Sequence, residues 1–433
     1  MSAGQNALAQ TGRLDPVFAS VPFAQWLNDK PDAGPFHWSA RVDIAELSRY
    51  QRIQGGIEIR VDGIDLVKRR EHGSLLLLFQ LTTANGAVFQ DHHALELRDV
   101  NDATAKSDIT YSQPIFLLPG EYRAAFAIFD KVSDEHAVIQ RTFRVNALKN
   151  EVLPNAWALL PAVEFSREVK PPDDLLTPYL SPLSLPVKVQ RPVELDILVN
   201  TASTPASAPL RRRITIRDDS QLNESRAPSD RNLRDVMAAM KVLAAINLQG
   251  GAVALSLIDV VRQKPLFDQR LWHNEQAEPL DLPQLRTALI ATDPNKIDVR
   301  SIETRAEAAK FFLEQIRKRI TIEPSPGDPP RALIILSGPL ELPRQDRQQL
   351  LENVKPGTAV FFVRYHSPAP PRPITPEMAL YQNHSQDAPP AWLEPLDALG
   401  PLLKPLRPKV FDIFSPDQFR KAVAAILADL AKL

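Results

Sequence analysis

Few side chains in this sequence are spaced for catalysis or metal binding. The eight histidines are scattered. The adjacent pair His92-His93 lies in text that alternates like a strand. Neighbours on a strand point to opposite faces, so the two rings do not hold one ion together. Asp91 beside His92 is proximity along the chain, not a dyad. Asp173-Asp174 and Asp218-Asp219 fall in loop-like text and are expected to face solvent, whereas general acid–base work needs a pocket that shifts pKa. The phosphate-cradling, dinucleotide-binding, nucleophile-elbow and HExxH patterns are absent from the sequence, which leaves the corresponding chemistries unsupported. The chain has no cysteine, so disulfides, thiolate ligands and cysteine nucleophiles are excluded. Its tryptophans (Trp26, Trp38, Trp157, Trp272 and Trp392) have no regular spacing and form no stacking strip. Trp157 is expected to insert into a domain surface.

Charge narrows the partners. Fifty-one basic residues oppose fifty-two acidic ones, which supplies no field for non-specific nucleic-acid binding. Lys68-Arg69-Arg70 and Arg211-Arg212-Arg213 are expected to be solvated turn or edge charges. Apolar runs such as Leu75 to Phe79 are far shorter than the about 20 residues a membrane helix needs. The opening MSAGQNALAQTGRL lacks the basic start and apolar stretch of a secretory signal.

The elements that would position any site come in two kinds. Residues 1–150 read as an all-β, Ig-like sandwich with an irregular N-terminal segment. From Gly56 onward, six or seven short strands follow one another with no helix. In YRAAFAIFD, Tyr122, Ala124, Phe126 and Ile128 share one face. Residues 151–192 carry eight of the forty prolines and read as an extended connector, because proline removes a backbone donor and extends its predecessor. After Pro192 the period changes. Buried strands at 193–200, 252–260, 332–337, 358–365 and 409–414 alternate with amphipathic helices. One carries Leu233, Val236, Met237, Met240 and Leu243. A second spans about 303–320, and a third 344–354. The last opens at Ser415-Pro416-Asp417-Gln418, a capping signal. This alternation predicts a doubly wound α/β domain over 193–433, interrupted by a proline-laden excursion at 366–408.

The element order after Pro192, together with the segment LLPGEYRAAFAIFD…AVIQRTFRV before it, resembles the von Willebrand factor A (VWA) domain. More specifically, it resembles the VWFA-related proteins described in Acidobacteria. The resemblance implies a divalent cation held by a DxSxS motif after the first strand, a threonine from a later loop and an aspartate after the fourth strand. In Val199-Asn200-Thr201-Ala202-Ser203-Thr204, Asn200 stands at the motif aspartate, Ala202 at its first serine and Thr204 at its second. In Leu336-Ser337-Gly338, Ser337 stands where the later aspartate would be. No threonine between Thr292 and Thr304 matches the remaining ligand. Anionic ligands are what draw a hard dication from its water, so this degraded motif predicts no tight Mg²⁺ or Ca²⁺ site and no cofactor.

The expectation is a non-catalytic protein–protein interaction or adhesion-like module. Its contact surface would be the strand-end edge at Asn200, Ala202, Thr204, Ser337 and Gly338, with the 205–229 insertion. The resemblance implies an extracytoplasmic or secreted setting. Two other readings stand beside it: a hydrolase-like enzyme whose site forms only in three dimensions, or a β-sandwich that recognises the partner while the VWA-like part supports it.

Overall fold

The computed structural model of the protein describes residues 12–28, 34–166, 176, 178–202, 228–273, 276–290, 305–320, 327–340, 358–366 and 399–433. They group into two compact units, 1–184 and 185–433. The division falls inside the proline-rich stretch expected to connect two domains.

Unit 1 contains β1 (Trp38–Leu47), β2 (Ile53–Val61), a helix α1 (Gly63–Lys68), β3 (Ser74–Thr83), β4 (Val88–Glu96), β5 (Ile109–Leu117), β6 (Gly120–Asp130), β7 (Glu135–Val145) and β8 (Val163–Phe165). The strands form two antiparallel sheets, ordered β1-β2-β5-β8 and β4-β3-β6-β7. One apolar core takes side chains from both. Ile57 and Ile59 meet Leu77, Phe79, Phe126 and Ile128 there, as the alternation of β6 requires. The opposite parity of β6 is apolar too. Ala125, Ala127 and Phe129 are covered by Phe18, Phe23 and Trp26. The N-terminal segment is therefore packed onto the sheet, with each buried aromatic contributing on the order of 2 kcal/mol. It also runs along β4: Gln90 N–H donates to Arg13 O at 2.8 Å, and a Cβ on Gly12 would collide with the Val88 carbonyl.

Two local expectations fail in this unit. Helix α1 appears where only strands were expected, because Asp62 caps it, its Oδ1 accepting from Ile64 N–H at 2.7 Å. The Lys68-Arg69-Arg70 run is not uniformly solvated. Arg69 is buried, donates from Nη2 to Glu135 Oε2 at 2.6 Å and stacks over Phe36 at 4.2 Å. Nearby, Asp130 is fully buried, with His72 Nδ1 2.6 Å away and Val132 N–H donating at 2.9 Å.

The described parts of the 151–192 stretch are divided between the two units. Trp157 Nε1–H donates to Gln51 O at 2.8 Å, and Glu164 pairs with the buried Arg52. Glu164 also accepts from Ser181 N–H at 2.9 Å. Further on, β9 (Leu185–Lys188) belongs to unit 2. Pro186 is tolerated because it lies in a two-stranded pairing.

Unit 2 continues with β10 (Glu194–Asn200), α2 (Pro228–Leu243), β11 (Ile246–Gln249), β12 (Ala252–Asp259), β13 (Lys264–His273), β14 (Gln276–Ala277) and α3 (Leu282–Ile290). It ends with α4 (Arg305–Arg317), β15 (Arg331–Ser337), β16 (Thr358–Tyr365), α5 (Leu399–Leu403), β17 (Lys409–Ile413) and α6 (Pro416–Leu430). Strand β9 pairs with β11. The main sheet runs β14-β13-β12-β10-β15-β16-β17. From β12 to β17 it is parallel, while β13 returns antiparallel beside β12. Phe312, Leu313 and Ile316 of α4 pack on Leu198, Ile335 and Phe362, and α2 lies against β10, β15 and β16. Helix α6 starts at the Ser415 cap, where Gln418 Oε1 returns to accept from Phe414 N–H at 2.7 Å. Strand β13 stands where the element order behind the resemblance has a short strand, to which no residues were assigned. The sequence stretches 203–227 and 367–398 and the expected helix at 344–354 lie outside the described residues, as do Arg211–Arg213, Asp173-Asp174 and Asp218-Asp219.

Candidate functional site

The chain lays β10 in the centre of its sheet, then β12 and β13 to one side, then β15, β16 and β17 to the other. The order reverses between β10 and β15, and crevices outside the carboxyl ends of strands at such a reversal are the usual ligand positions. Asn200 is opposite Ile258, and Val199 is opposite Leu336. The expected edge residues Asn200, Ala202, Ser337 and Gly338 are thus brought together, while Thr204 lies outside the described residues.

Their geometry is inward-looking. Asn200 is 1 % exposed and Ser337 0 %. The Asn200 side-chain oxygen accepts from Ala202 N–H at 3.0 Å and from Val260 N–H at 3.2 Å. Its amide nitrogen donates to Ser337 Oγ at 3.0 Å, and that hydroxyl donates to Gly338 O at 2.7 Å. Thr201 turns both its N–H (2.8 Å) and its Oγ1 (3.2 Å) to Ile258 O. Asp259, the adjacent carboxylate, accepts from Arg262 N–H at 2.8 Å and from its Nη1 at 2.9 Å. One neutral amide therefore joins three strand ends. Its oxygen satisfies two buried backbone donors that otherwise carry a full desolvation cost.

The rim beside this network is different. Phe414, just past β17, is 57 % exposed, and its ring stacks on His366 at 4.3 Å with an interplanar angle of 9°. Asp412 Oδ1 lies 2.5 Å from Arg364 Nε and 3.0 Å from His366 Nε2. The Arg364 hydrogen bond, aided by His366 and opposed by burial, holds the Asp412 carboxyl below its ordinary range. Sequence reasoning missed this pair. The available signal was parity: in KVFDIF, Ile413 is buried, which turns Phe414 the other way.

A second constellation lies in unit 1. His92 Nδ1 is 2.6 Å from Asp15 Oδ2, and Asp91 is close enough that one ligand atom from each of the three lies within 4.8 Å of the others. Asp91 Oδ2 accepts from Gln113 Nε2 at 2.7 Å. Asp15 Oδ1 accepts from Val17 N–H at 3.0 Å, and Asp15 N–H donates to Gln90 Oε1 at 3.2 Å. A cavity of about 260 Å³ opens on the group, bordered by Arg13, Pro16 and Gln90 among others. His93 goes to the opposite side, as expected, and stacks on Tyr111 at 4.2 Å. Burial, helped by neighbouring His92, pushes the His93 imidazole below its usual pKa. The partner of His92 is Asp15, which stands 77 residues away along the chain, and no local pattern announces it.

Neither protein families nor curated proteins gave a match to this chain. Among solved structures, one described as "X-ray structure of Northeast Structural Genomics Consortium target SoR45" is 13 % identical over 28 % of this chain and 96 % of its own, with a TM-score of 0.18. A likeness that slight carries no argument.

Proposed function

We propose that the protein is a non-catalytic interaction module: a β-sandwich followed by a VWA-like α/β unit that meets a protein partner at its strand-end edge without a metal ion. The observation that carries this reading is the contrast along that edge. Its centre is sealed by the neutral Asn200–Ser337 network. Its rim presents Phe414 as an exposed aromatic ring, preorganised by stacking on His366 and by the hold of Asp412 on both His366 and Arg364. Aromatic anchors of this kind dominate binding energy at protein interfaces, and a ring already fixed loses little entropy on contact. What supports the VWA-like reading is the sheet order: Asn200 and Ser337 meet at the strand ends beside the reversal between β10 and β15.

The test is capture of a binding partner by the full chain with a cross-linker, comparing wild type with Phe414→Ala in the presence and absence of EDTA. The reading predicts one partner that wild type retains in EDTA and that Phe414→Ala loses, with unchanged thermal stability. Capture that EDTA abolishes, or that Phe414→Ala leaves intact, would refute it.

A further inference from the structure

We propose that Asp15, Asp91 and His92 form a site for one divalent transition-metal ion, Zn²⁺ in the first instance, in unit 1 and independent of the strand-end edge.

Three features converge on this assignment. The donor set is one imidazole nitrogen and two carboxylate oxygens. Such a mixed set suits Zn²⁺ or Mn²⁺ better than Mg²⁺ or Ca²⁺, which take oxygen ligands alone. The three donors lie within 4.8 Å of one another, so side-chain rotations that part the 2.6 Å Asp15–His92 pair around an ion bring all three to the about 2.0–2.2 Å that zinc requires. The group also borders a cavity of about 260 Å³, room enough for a water in the fourth position that three-ligand zinc sites keep open.

The surroundings hold the donors in place. Val17 N–H and the Gln90 side chain fix Asp15, and Gln113 Nε2 fixes Asp91. Outer partners of this kind orient ligands and tune affinity. Gln113 comes from β5 in the facing sheet, and Asp15 from the N-terminal segment, so the site exists only in the folded unit. Both carboxylate residues are nearly buried. Two such charges side by side need compensation, and among the described residues Arg13 is the arginine that lines the cavity. The His92 ring and Asp15 meet at 2.6 Å.

The experiment is isothermal titration of ZnCl₂ into chelator-treated full-length protein, repeated with Asp15→Asn, Asp91→Asn and His92→Gln. A single saturable site of micromolar affinity is expected, weakened about tenfold or more by each substitution, the scale on which loss of even an outer-shell partner is felt. A parallel measurement needs no variant. Substoichiometric Mn²⁺ added to isotopically labelled wild type should broaden the amide signals of Val17, Gln90 and His92 before others. Absence of a saturable Zn²⁺ isotherm, affinity unchanged in all three variants, or Mn²⁺ broadening centred elsewhere would overturn the proposal.

Discussion

Replacing Asn200 with alanine removes an amide that joins the ends of β10, β12 and β15. Its oxygen is the acceptor for Ala202 N–H and Val260 N–H, both belonging to buried residues. Each buried donor left without a partner costs about 1–3 kcal/mol. The third contact, to Ser337 Oγ, matters less, because that hydroxyl still donates to Gly338 O. Two stranded donors give about 2–6 kcal/mol, and a water entering the vacated space offsets part of that, which puts the expected loss at about 2–4 kcal/mol. The chain has two compact units, so a global melting curve mixes them. Hydrogen-exchange mass spectrometry on peptides covering 194–202, 252–260 and 331–337 reads the affected strands directly. At about 1.4 kcal/mol per tenfold, exchange there should accelerate roughly 30- to 1,000-fold, with peptides of unit 1 unchanged. Acceleration below about threefold would show that the amide is not what closes the strand ends.

Two further outcomes follow from charge and burial. Burial raises the Asp130 carboxyl, but hydrogen bonds from His72, Val132 N–H and Ser133 together outweigh it and leave its pKa below the ordinary value. A carboxyl depressed in the folded state stabilises above its unfolded pKa, near 4, and loses that contribution as pH falls through the folded value. Asp130→Asn should therefore cost about 2 kcal/mol at pH 7, with the gap to wild type closing below about pH 4 in hydrogen-exchange protection of β6 and β7 peptides, corrected for intrinsic rates, taken from pH 3 to 7. Burial lowers Lys241 in α2 to about 8. An amine depressed on folding penalises the native state when charged, so stability should rise with pH from about 8 to about 10.5. Lys241→Met should stabilise unit 2 by a few kcal/mol at pH 7 and by nothing above about pH 11, as denaturant titration at the two values would show.

What the sequence discloses follows the range of the interaction. Strand β6 was readable because its alternation is local, and so was α6, whose Ser415 cap and Gln418 return contact lie within one turn. Strand β13 was not. Pro265 near its start and the charges of Asp268 and Arg270 argue against a strand, yet the antiparallel return beside β12 supplies the pairing. The N-terminal segment looked irregular because Phe18, Phe23 and Trp26 have no period of their own. What organises them is the apolar outer face of β6, more than 90 residues later. The edge residues Asn200 and Ser337 were identified in advance, but their closure into one hydrogen-bond network depends on Val260, which no motif includes. Arg69 and Asp15 were hidden for the same reason: Glu135, Phe36 and His92 reach them only through tertiary packing.

The central claim is that the strand-end edge functions without a cation, and the amide signals of Ala202 and Val260 report on it directly. Both donate to the Asn200 side-chain oxygen at that edge. In a titration of the full chain with Mg²⁺ to millimolar excess, the account predicts that neither signal moves. A saturable shift of both, lost in Asn200→Ala, would contradict it.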